Sequence, residues 1–541
     1  MKFQTAKLPK FSFRFNFEKR RGSILKKLKE KKEELLMDND LLFMLTYMAS
    51  LSTAQLSRDK IFEMVAKKKE YVPSKYFKKI RDLTQKWHYD YATACNLIAE
   101  KVKHGRLKNL LNRLSNAIAA GEPDKEFLEK EWKTFKTVRK DEYKRALESL
   151  RKWTDAYVSI MVSASLISIV VLLSVIIYSL GNPAQIFLVA AIGNLVTCGF
   201  GVSMLFKAAP KDRKVHDFHI KSKEQRIILK LQLLLVPIAA LLLIMLVITP
   251  TVFNLNSKLA GIDIRGLGMI LAGIMLLPIA ILGKKDDINI SARDEVFTTF
   301  IRSLGAIKSD SGVPMVEALR RIDQKNLGAL KDLVLQLYRR LSLGLNPKLC
   351  WERFTGESGS YLIHKLTGIF VDAIDLGGDA NVVGEIVSSS NLEMVLLRLK
   401  RDLISSGFIN LLIPLHISMV GLILFITQLM DIFTNNILMI FTTQLSGAGS
   451  ITDVVSKLPG GLQGLNIGMF SSIPTGLLNQ YAVALILSIT LANSFAANIV
   501  KGSGSYMYVY FACIFMILSG LLLILVPPLV NWMFSLPSFV G

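Results

Sequence analysis

The chain has 541 residues, of which 66 are Lys or Arg and 43 Asp or Glu, for a formal net charge of +23. Its hydrophobic fraction of 51% is ordinary, but the charges are very unevenly placed: residues 157–206 carry none, and beyond Lys457 only Lys501 is charged. Uncharged apolar runs of that length read as membrane spans, which excludes a purely globular enzyme, a disordered scaffold and a secreted disulfide framework. The expected class is all-α: a polytopic membrane protein with about seven transmembrane helices and two helical cytoplasmic domains.

Residues 1–156 precede the first apolar run, so no cleavable signal is expected and this segment should remain cytoplasmic. It is basic, with 37 basic against 21 acidic residues. Residues 2–21 interleave Phe3, Phe11, Phe13, Phe15 and Phe17 with Lys and Arg, a pattern that favours an anionic lipid surface over nucleic acid. A solvated Lys/Glu helix follows over 24–37. Asp38 or Asn39 should then cap a helix carrying Leu41, Leu42, Leu45, Met48 and Ala49. Ser57-Arg58-Asp59-Lys60 opens a second helix with Ile61, Phe62, Met64 and Val65, and a later one over 114–121 ends at a glycine before another begins at Asp124.

Absence of charge places the spans at 157–180, 184–206, 231–253 and 266–283, within 403–430, and at 477–500 and 506–530. The first two, the third and fourth, and the last two read as helical hairpins. Four spans thus fill 157–283, around a basic loop at 207–230, and three fill 408–541. Between them, 284–407 forms the second cytoplasmic domain. Of the 66 basic residues, 63 fall in segments on one side, and only Lys258, Arg265 and Lys457 on the other. The positive-inside rule therefore puts the N-terminus in the cytoplasm and the C-terminus outside. The one sizeable external loop, about 435–475, is rich in Gly and Ser and turns at Leu458-Pro459-Gly460-Gly461, with an extra half-span possible in composition at 432–445.

The second inner domain repeats the plan of the first. Phe297, Phe300, Ile301 and Leu304 share a helix, Gly312-Val313-Pro314 turns into 315–321, and 334–344 ends at a glycine before 347–354. The distance from Leu304 to Gly344 is shorter than that from Ala49 to Gly121, which implies extra residues in the first copy. Charge nearly cancels here, with 17 basic and 16 acidic residues. The acids cluster at Asp372, Asp375, Asp379 and Glu385 around Gly377-Gly378. Spaced by about one helical turn, Asp372, Asp375 and Asp379 suit one partner-facing surface better than a metal site.

The stretch Phe43-Met44-Leu45-Thr46-Tyr47-Met48-Ala49-Ser50-Leu51-Ser52-Thr53-Ala54, followed by Arg58-Asp59-Lys60-Ile61-Phe62-Glu63, resembles the archaeal type II secretion F-domain family. So do Arg145-Ala146-Leu147-Glu148 and Trp153-Thr154-Asp155-Ala156-Tyr157, and in the second copy Gly312-Val313-Pro314-Met315-Val316-Glu317-Ala318-Leu319 and Val371-Asp372-Ala373-Ile374-Asp375-Leu376-Gly377-Gly378. The resemblance covers nearly the whole chain and implies an assembly platform of an archaellum or type IV pilus. It further implies that the platform docks a hexameric secretion-superfamily ATPase and nucleates filament subunits. A homodimer is the expected oligomer. Arg58, Asp59, Lys60 and Glu63 in the first domain, and Asp372, Asp375 and Asp379 in the second, are the candidate ATPase contacts.

No catalytic, cofactor or metal residues are expected. The phosphate-loop pattern is missing, since Gly283-Lys284 is followed by Lys285 rather than a hydroxyl residue. Cys95, Cys198, Cys350 and Cys513 form no CxxC pair and read as small buried hydrophobes. His216 and His219 are spaced for one helix face, but their charged neighbours suit a loop. A polytopic transporter is the rival class, and its strongest residue is His416 near Pro414, which reads better as a hydrogen-bonded packing histidine. Pro237, Pro278 and Pro414 lie within spans.

Overall fold

A computed structural model of the chain describes residues 33, 36–178, 182–253, 258–259, 262–310, 313–445 and 475–534, without the side chains of 176–178, 258–259, 262, 435–445 and 475. The arm 2–21, nearly all of the helix expected over 24–37, Gly181, Gly312 and the loop turn at 458–461 lie outside the described residues.

The all-α expectation holds. Among the described residues the only β structure is a ladder of two-residue strands, Lys258–Leu259 and Ile262–Asp263, and a bridge between Val215 and Ser360. Among the described residues, seven helices are long and apolar enough to cross a membrane: Asp124–Val175, Pro183–Ala208, Lys223–Val252, Ile264–Ser309, Ala380–Thr434, Gly476–Lys501 and Met507–Met533. Three of them extend well past their apolar runs. Helices Asp124–Tyr178, Ile264–Ser309 and Ala380–Leu445 hold 55, 46 and 66 residues. Lys, Arg, Asp and Glu recur in their portions beside the spans, which hold no Pro, and Gly305 and Gly384 lie within two of them without ending the helix. Pro237, Pro278 and Pro414 each sit inside a helix.

Contacts divide the chain into two compact units. Residues 1–140, 297–326 and 365–392 form one, and 141–296, 327–364 and 393–541 form the other. The first is built around the helix at 36–52, where Leu41, Met44, Leu45, Tyr47 and Leu51 are all fully buried. A helix apolar on every side is a core helix. It is already under way at residue 36, so Asp38 and Asn39 lie inside it and do not cap it, as the sequence suggested they would. Asp38 instead pairs with Arg106 at 2.7 Å, and Asn39 accepts from Arg139. Elsewhere in this unit two helices cross almost backbone to backbone: a Cβ on Gly305 would lie 2.5 Å from the Ala380 carbonyl and 3.0 Å from Gly384 Cα.

In the second unit the sixth span is the central one. Its apolar window is 72% buried, against 11% for the third span. Val247, Met269, Val420, Leu424, Val483, Ile486 and Leu523 form the core cluster around it. Spans four and seven approach through glycine, since a Cβ on Gly520 would lie 2.7 Å from the Gly266 carbonyl. Small residues allow such contacts, which replace the hydrophobic drive that lipid removes. A directed hydrogen-bond chain runs through this core. Tyr157 donates to Asn493 Oδ1 at 2.8 Å, and Asn493 Nδ2 faces His416 Nδ1 at 3.0 Å. His416 Nε2 meets Ser519 Oγ at 2.9 Å, and Ser519 meets Thr490 at 2.8 Å. His416 is therefore a packing histidine with both ring nitrogens engaged.

A second set of polar ties lies where the charged ends of the helices begin. Arg398 donates to Asp212 Oδ2 and Asp294 Oδ2, both at 2.7 Å, and to the Arg213 carbonyl at 2.6 Å. Lys214 pairs with Asp287 at 2.7 Å. Arg401 donates to the carbonyls of Val500, Ile499 and Pro210 at 3.0, 2.8 and 3.1 Å, closing the end of the Thr475–Lys501 helix. These bonds pin residues 209–222, which are irregular and place His216 and His219 off any helix. His216 is buried with Nε2 2.9 Å from the Gly356 carbonyl, and burial holds its imidazole below the ordinary value.

Gly502 packs under the Arg401 guanidinium with φ +72°, and an added Cβ would lie 2.1 Å from Arg401 Cζ. Gly502→Ala should cost about 1–3 kcal/mol through strain and overpacking. Gly407→Ala, where a Cβ meets nothing within 4 Å, should cost nothing. Thermal unfolding of the two variants in detergent, read as loss of the monodisperse species, should separate them.

Candidate functional site

Both groups of sequence-flagged residues fall in the first unit, and the structure gives them unequal roles. Ser57 caps the Arg58–Lys67 helix by accepting from the Lys60 amide, as its position in the sequence suggested. Arg58 grips Asp124 at the start of the Asp124–Tyr178 helix, with Nε 3.0 and Nη2 2.7 Å from Oδ1. Asp59 accepts from the Tyr91 hydroxyl at 2.6 Å and from Gln85 at 3.2 Å. Burial, and then that carboxylate, push the Tyr91 hydroxyl up to about 12. Lys60 reaches Glu63 at 3.2 Å, and Lys67 closes on the same carboxylate. Hydrogen bonds from Lys67 and then Lys60 hold Glu63 at about 2. The turn is a surface network already satisfied by its own neighbours.

Asp372 is likewise engaged. It accepts from Tyr47 at 3.1 Å and pairs with Lys68 at 2.7 Å, so it ties the core helix and the end of the Arg58–Lys67 helix to the Tyr361–Asp375 helix. Asp379 is the N-cap acid of the Ala380–Leu445 helix, accepting from the Asn381 and Val382 amides at 3.0 and 3.2 Å. Asp375 is exposed, and partial burial of its carboxyl followed by the nearby Asp372 raise it above its ordinary value. Between them Gly377 turns with φ +88°. A Cβ on Gly378 would meet the Ala373 carbonyl at 2.7 Å and Thr53 Oγ1 at 3.0 Å, so this turn is pressed onto the first copy. Asp375 and Asp379 have no cationic partner among the described residues. The expected single carboxylate face is therefore one internal strut, one cap and one open acid. No group of His, Cys, Asp and Glu among the described residues could hold a metal.

Several joining residues gave no sequence signal strong enough to single them out. Trp132 Nε1 donates to Ser390 at 3.1 Å, Lys136 to Ser389 at 2.7 Å, and Lys365 pairs with Glu70 at 2.6 Å. Each is a lone polar residue on an otherwise ordinary helix.

The helices also correct the register of the duplication. Arg58–Lys67, Ser74–Trp87, Tyr91–Lys101, Gly105–Ala119 and Asp124–Tyr178 have counterparts, in the same order and at nearly constant offset, in Met315–Arg321, Lys331–Ser342, Pro347–Ser358, Tyr361–Asp375 and Ala380–Leu445. Gly377 therefore matches Gly121, and both turn through positive φ before a long helix that becomes a span. Gly344, the partner suggested by sequence, matches an earlier turn, and the first copy carries no extra block. Each of the two matching helices carries an i,i+4 pair, Glu63–Lys67 in the first and Glu317–Arg321 in the second, at positions that do not coincide.

A family model for type II secretion system protein F matches residues 44–172 and again 300–430. The chain thus carries two stretches similar to that family. Its two F-type copies are the two helix series just described, each ending inside a long helix that becomes a candidate span. Among relatives, a protein named Flagella accessory protein J from Methanocaldococcus jannaschii is 30% identical over 368 residues, covering 65% of this chain and 63% of the relative. The protein of the same name from Methanococcus voltae is 24% identical over 360 residues, with the same coverage. The chain thus matches a little under two thirds of the length of these relatives. No solved structure matches. Neither the family description nor the relatives' names indicates catalysis.

Because Arg58 holds Asp124, Arg58→Glu should do more than alter a surface charge. Loss of the pair and the new repulsion should lower stability by about 1 kcal/mol. Lys60→Glu, at a side chain 42% exposed, should shift it by less than about 0.5 kcal/mol. Denaturant or thermal titration of the two variants gives the comparison.

Proposed function

We propose that this protein is a multi-pass membrane platform for an archaellum or type IV pilus-like filament. Two F-type copies, each running into a membrane span, carry the assignment, and the name shared by the relatives supports it. The platform docks a hexameric secretion-superfamily ATPase on its cytoplasmic helices, contacts filament subunits at its membrane face and works as a homodimer. With 63 of 66 basic residues on the side of the N-terminus, that terminus is cytoplasmic and the C-terminus external. ATPase motion passes to the bilayer along the helices Asp124–Tyr178, Ile264–Ser309 and Ala380–Leu445, which need no hinge between their charged and apolar portions.

For the ATPase contact we favour the turn holding Asp375 and Asp379 over the Arg58-Asp59-Lys60 turn. The latter spends its charges on its own neighbours, whereas the acid turn keeps two carboxylates for a basic partner. The transporter reading has no comparable support, because its candidate His416 is closed off by Asn493 and Ser519.

Co-purification with the cognate ATPase tests the contact. Asp375→Lys together with Asp379→Asn, the latter preserving a helix cap, should weaken capture by roughly tenfold at low salt. Lys60→Glu should leave capture unchanged. The reverse pattern would move the contact to the first turn. Loss of capture by neither would remove both turns from the interface.

A further inference from the structure

A polar pocket of about 400 Å³ opens in the second unit between the irregular segment 209–222, the start of the Lys223–Leu243 helix and the turn at 502–506. An even number of candidate spans lies between these two segments, so both sit at the same membrane boundary, on the basic-rich side. Most of its charged residues are accounted for internally: Lys214 by Asp287, Asp212 by Arg398, and Arg213 by Asp217. Lys221 lines the pocket and has no acidic partner among the described residues.

Two further groups lining it are unsatisfied. Gln225 is only 3% exposed, and its Nε2 donates to Asp286 at 3.2 Å and to the Gly359 carbonyl at 3.4 Å. That fixes the amide so that Oε1 is the acceptor, and Oε1 is buried without a partner. Ser503 Oγ is also buried without a partner. A buried polar atom left unpaired costs about 1–3 kcal/mol, so this corner calls for a ligand that both donates and accepts. Beside it the same helix turns apolar, with Leu229 lining the pocket and 50% exposed, and Leu233 one turn further 84% exposed. An amphiphile meets all of these demands, whereas a soluble anion leaves the apolar wall uncovered.

We infer that this pocket binds the headgroup of an anionic phospholipid bearing free hydroxyls. Its phosphate accepts from the Lys221 ammonium and the Ser503 hydroxyl, a headgroup hydroxyl donates to Gln225 Oε1, and an acyl or isoprenoid chain descends beside Leu229 and Leu233. Basic pockets between spans on the cytoplasmic side suit such headgroups. The lipid would brace the segment that Arg398 and Arg401 hold, independently of which filament or ATPase the platform serves.

Delipidated full-length protein in a neutral detergent, titrated with phosphatidylglycerol or phosphatidylcholine and followed by native mass spectrometry, tests this. Phosphatidylglycerol should be retained in preference to phosphatidylcholine. Lys221→Gln should weaken its retention about fivefold, Ser503→Ala should weaken it in the same direction, and Lys230→Gln, outside the pocket, should stay within about twofold of the parent. If Lys221→Gln proves unstable, Ser503→Ala carries the comparison. Equal retention of the two lipids, or retention unaffected by both pocket variants, overturns the proposal. So does competition by glycerol 3-phosphate as effective as the lipid itself, which would make this a soluble-phosphate site.

Discussion

The arrangement of the second unit depends on one buried guanidinium. Arg398 lies on the inward stripe of the Ala380–Leu445 helix, near buried Val395, Leu397 and Ser405. Taking such an ion out of water costs several kcal/mol unless charge and hydrogen bonds replace its hydration. Two carboxylates and one carbonyl do so, and they come from the 209–222 segment and the Ile264–Ser309 helix. Asp294 is completed by Ser360, and neighbouring Asp286 by Tyr506 and Gln225. The irregular segment therefore has little freedom, and Arg401, one turn on, seals the end of the sixth span against it. Removing any one partner strands a charge, so the cluster holds as a whole.

Spans were legible in the sequence because the cost of charge in hydrocarbon empties long windows of Lys, Arg, Asp and Glu. Helix ends were less legible for the same reason. Where charges resume after Gly283 or before Leu403, the apolar run stops but the helix does not. A period was nevertheless present: Asp287, Ile290, Asp294, Phe297, Ile301 and Leu304 are spaced three and four apart, and all are buried. Reading acids on an apolar stripe as buried would have exposed the ion cluster. The glycine error has a different origin. Gly344 and Gly377 both turn through positive φ at a helix end, so composition ranks them equally. What distinguishes Gly377 is the acid just beyond it that starts a long helix, Asp379 there and Asp124 in the first copy. Asp38 failed as a cap because its helix begins earlier, where the surrounding residues gave no stop.

Among the candidate contacts, sequence supplied position but not occupancy. Arg58 and Asp372 looked like surface charges, yet each is committed to a partner more than sixty residues away in the chain. Long-range pairing leaves no mark in a local window. The starts of the two long helices illustrate the consequence: Asp124, the first residue of its helix, is neutralised by Arg58, while Asp379, one residue before the matching start, only caps its helix. A duplicated scaffold has thus kept its helices and changed what one turn offers to a partner. The two copies therefore present different surfaces, one closed on itself and one carrying open acids.

Charges at the span edges act as internal struts, whereas the surface Lys60–Glu63 pair is dispensable. A double-mutant cycle decides between struts and ornament most directly. Arg398→Met, Asp294→Asn and the double variant, compared by unfolding in detergent, should couple by about 2 kcal/mol or more, and the Lys60–Glu63 pair by less than about 1 kcal/mol. Additivity of Arg398 and Asp294 to within about 0.5 kcal/mol would contradict the central role given to the buried cluster.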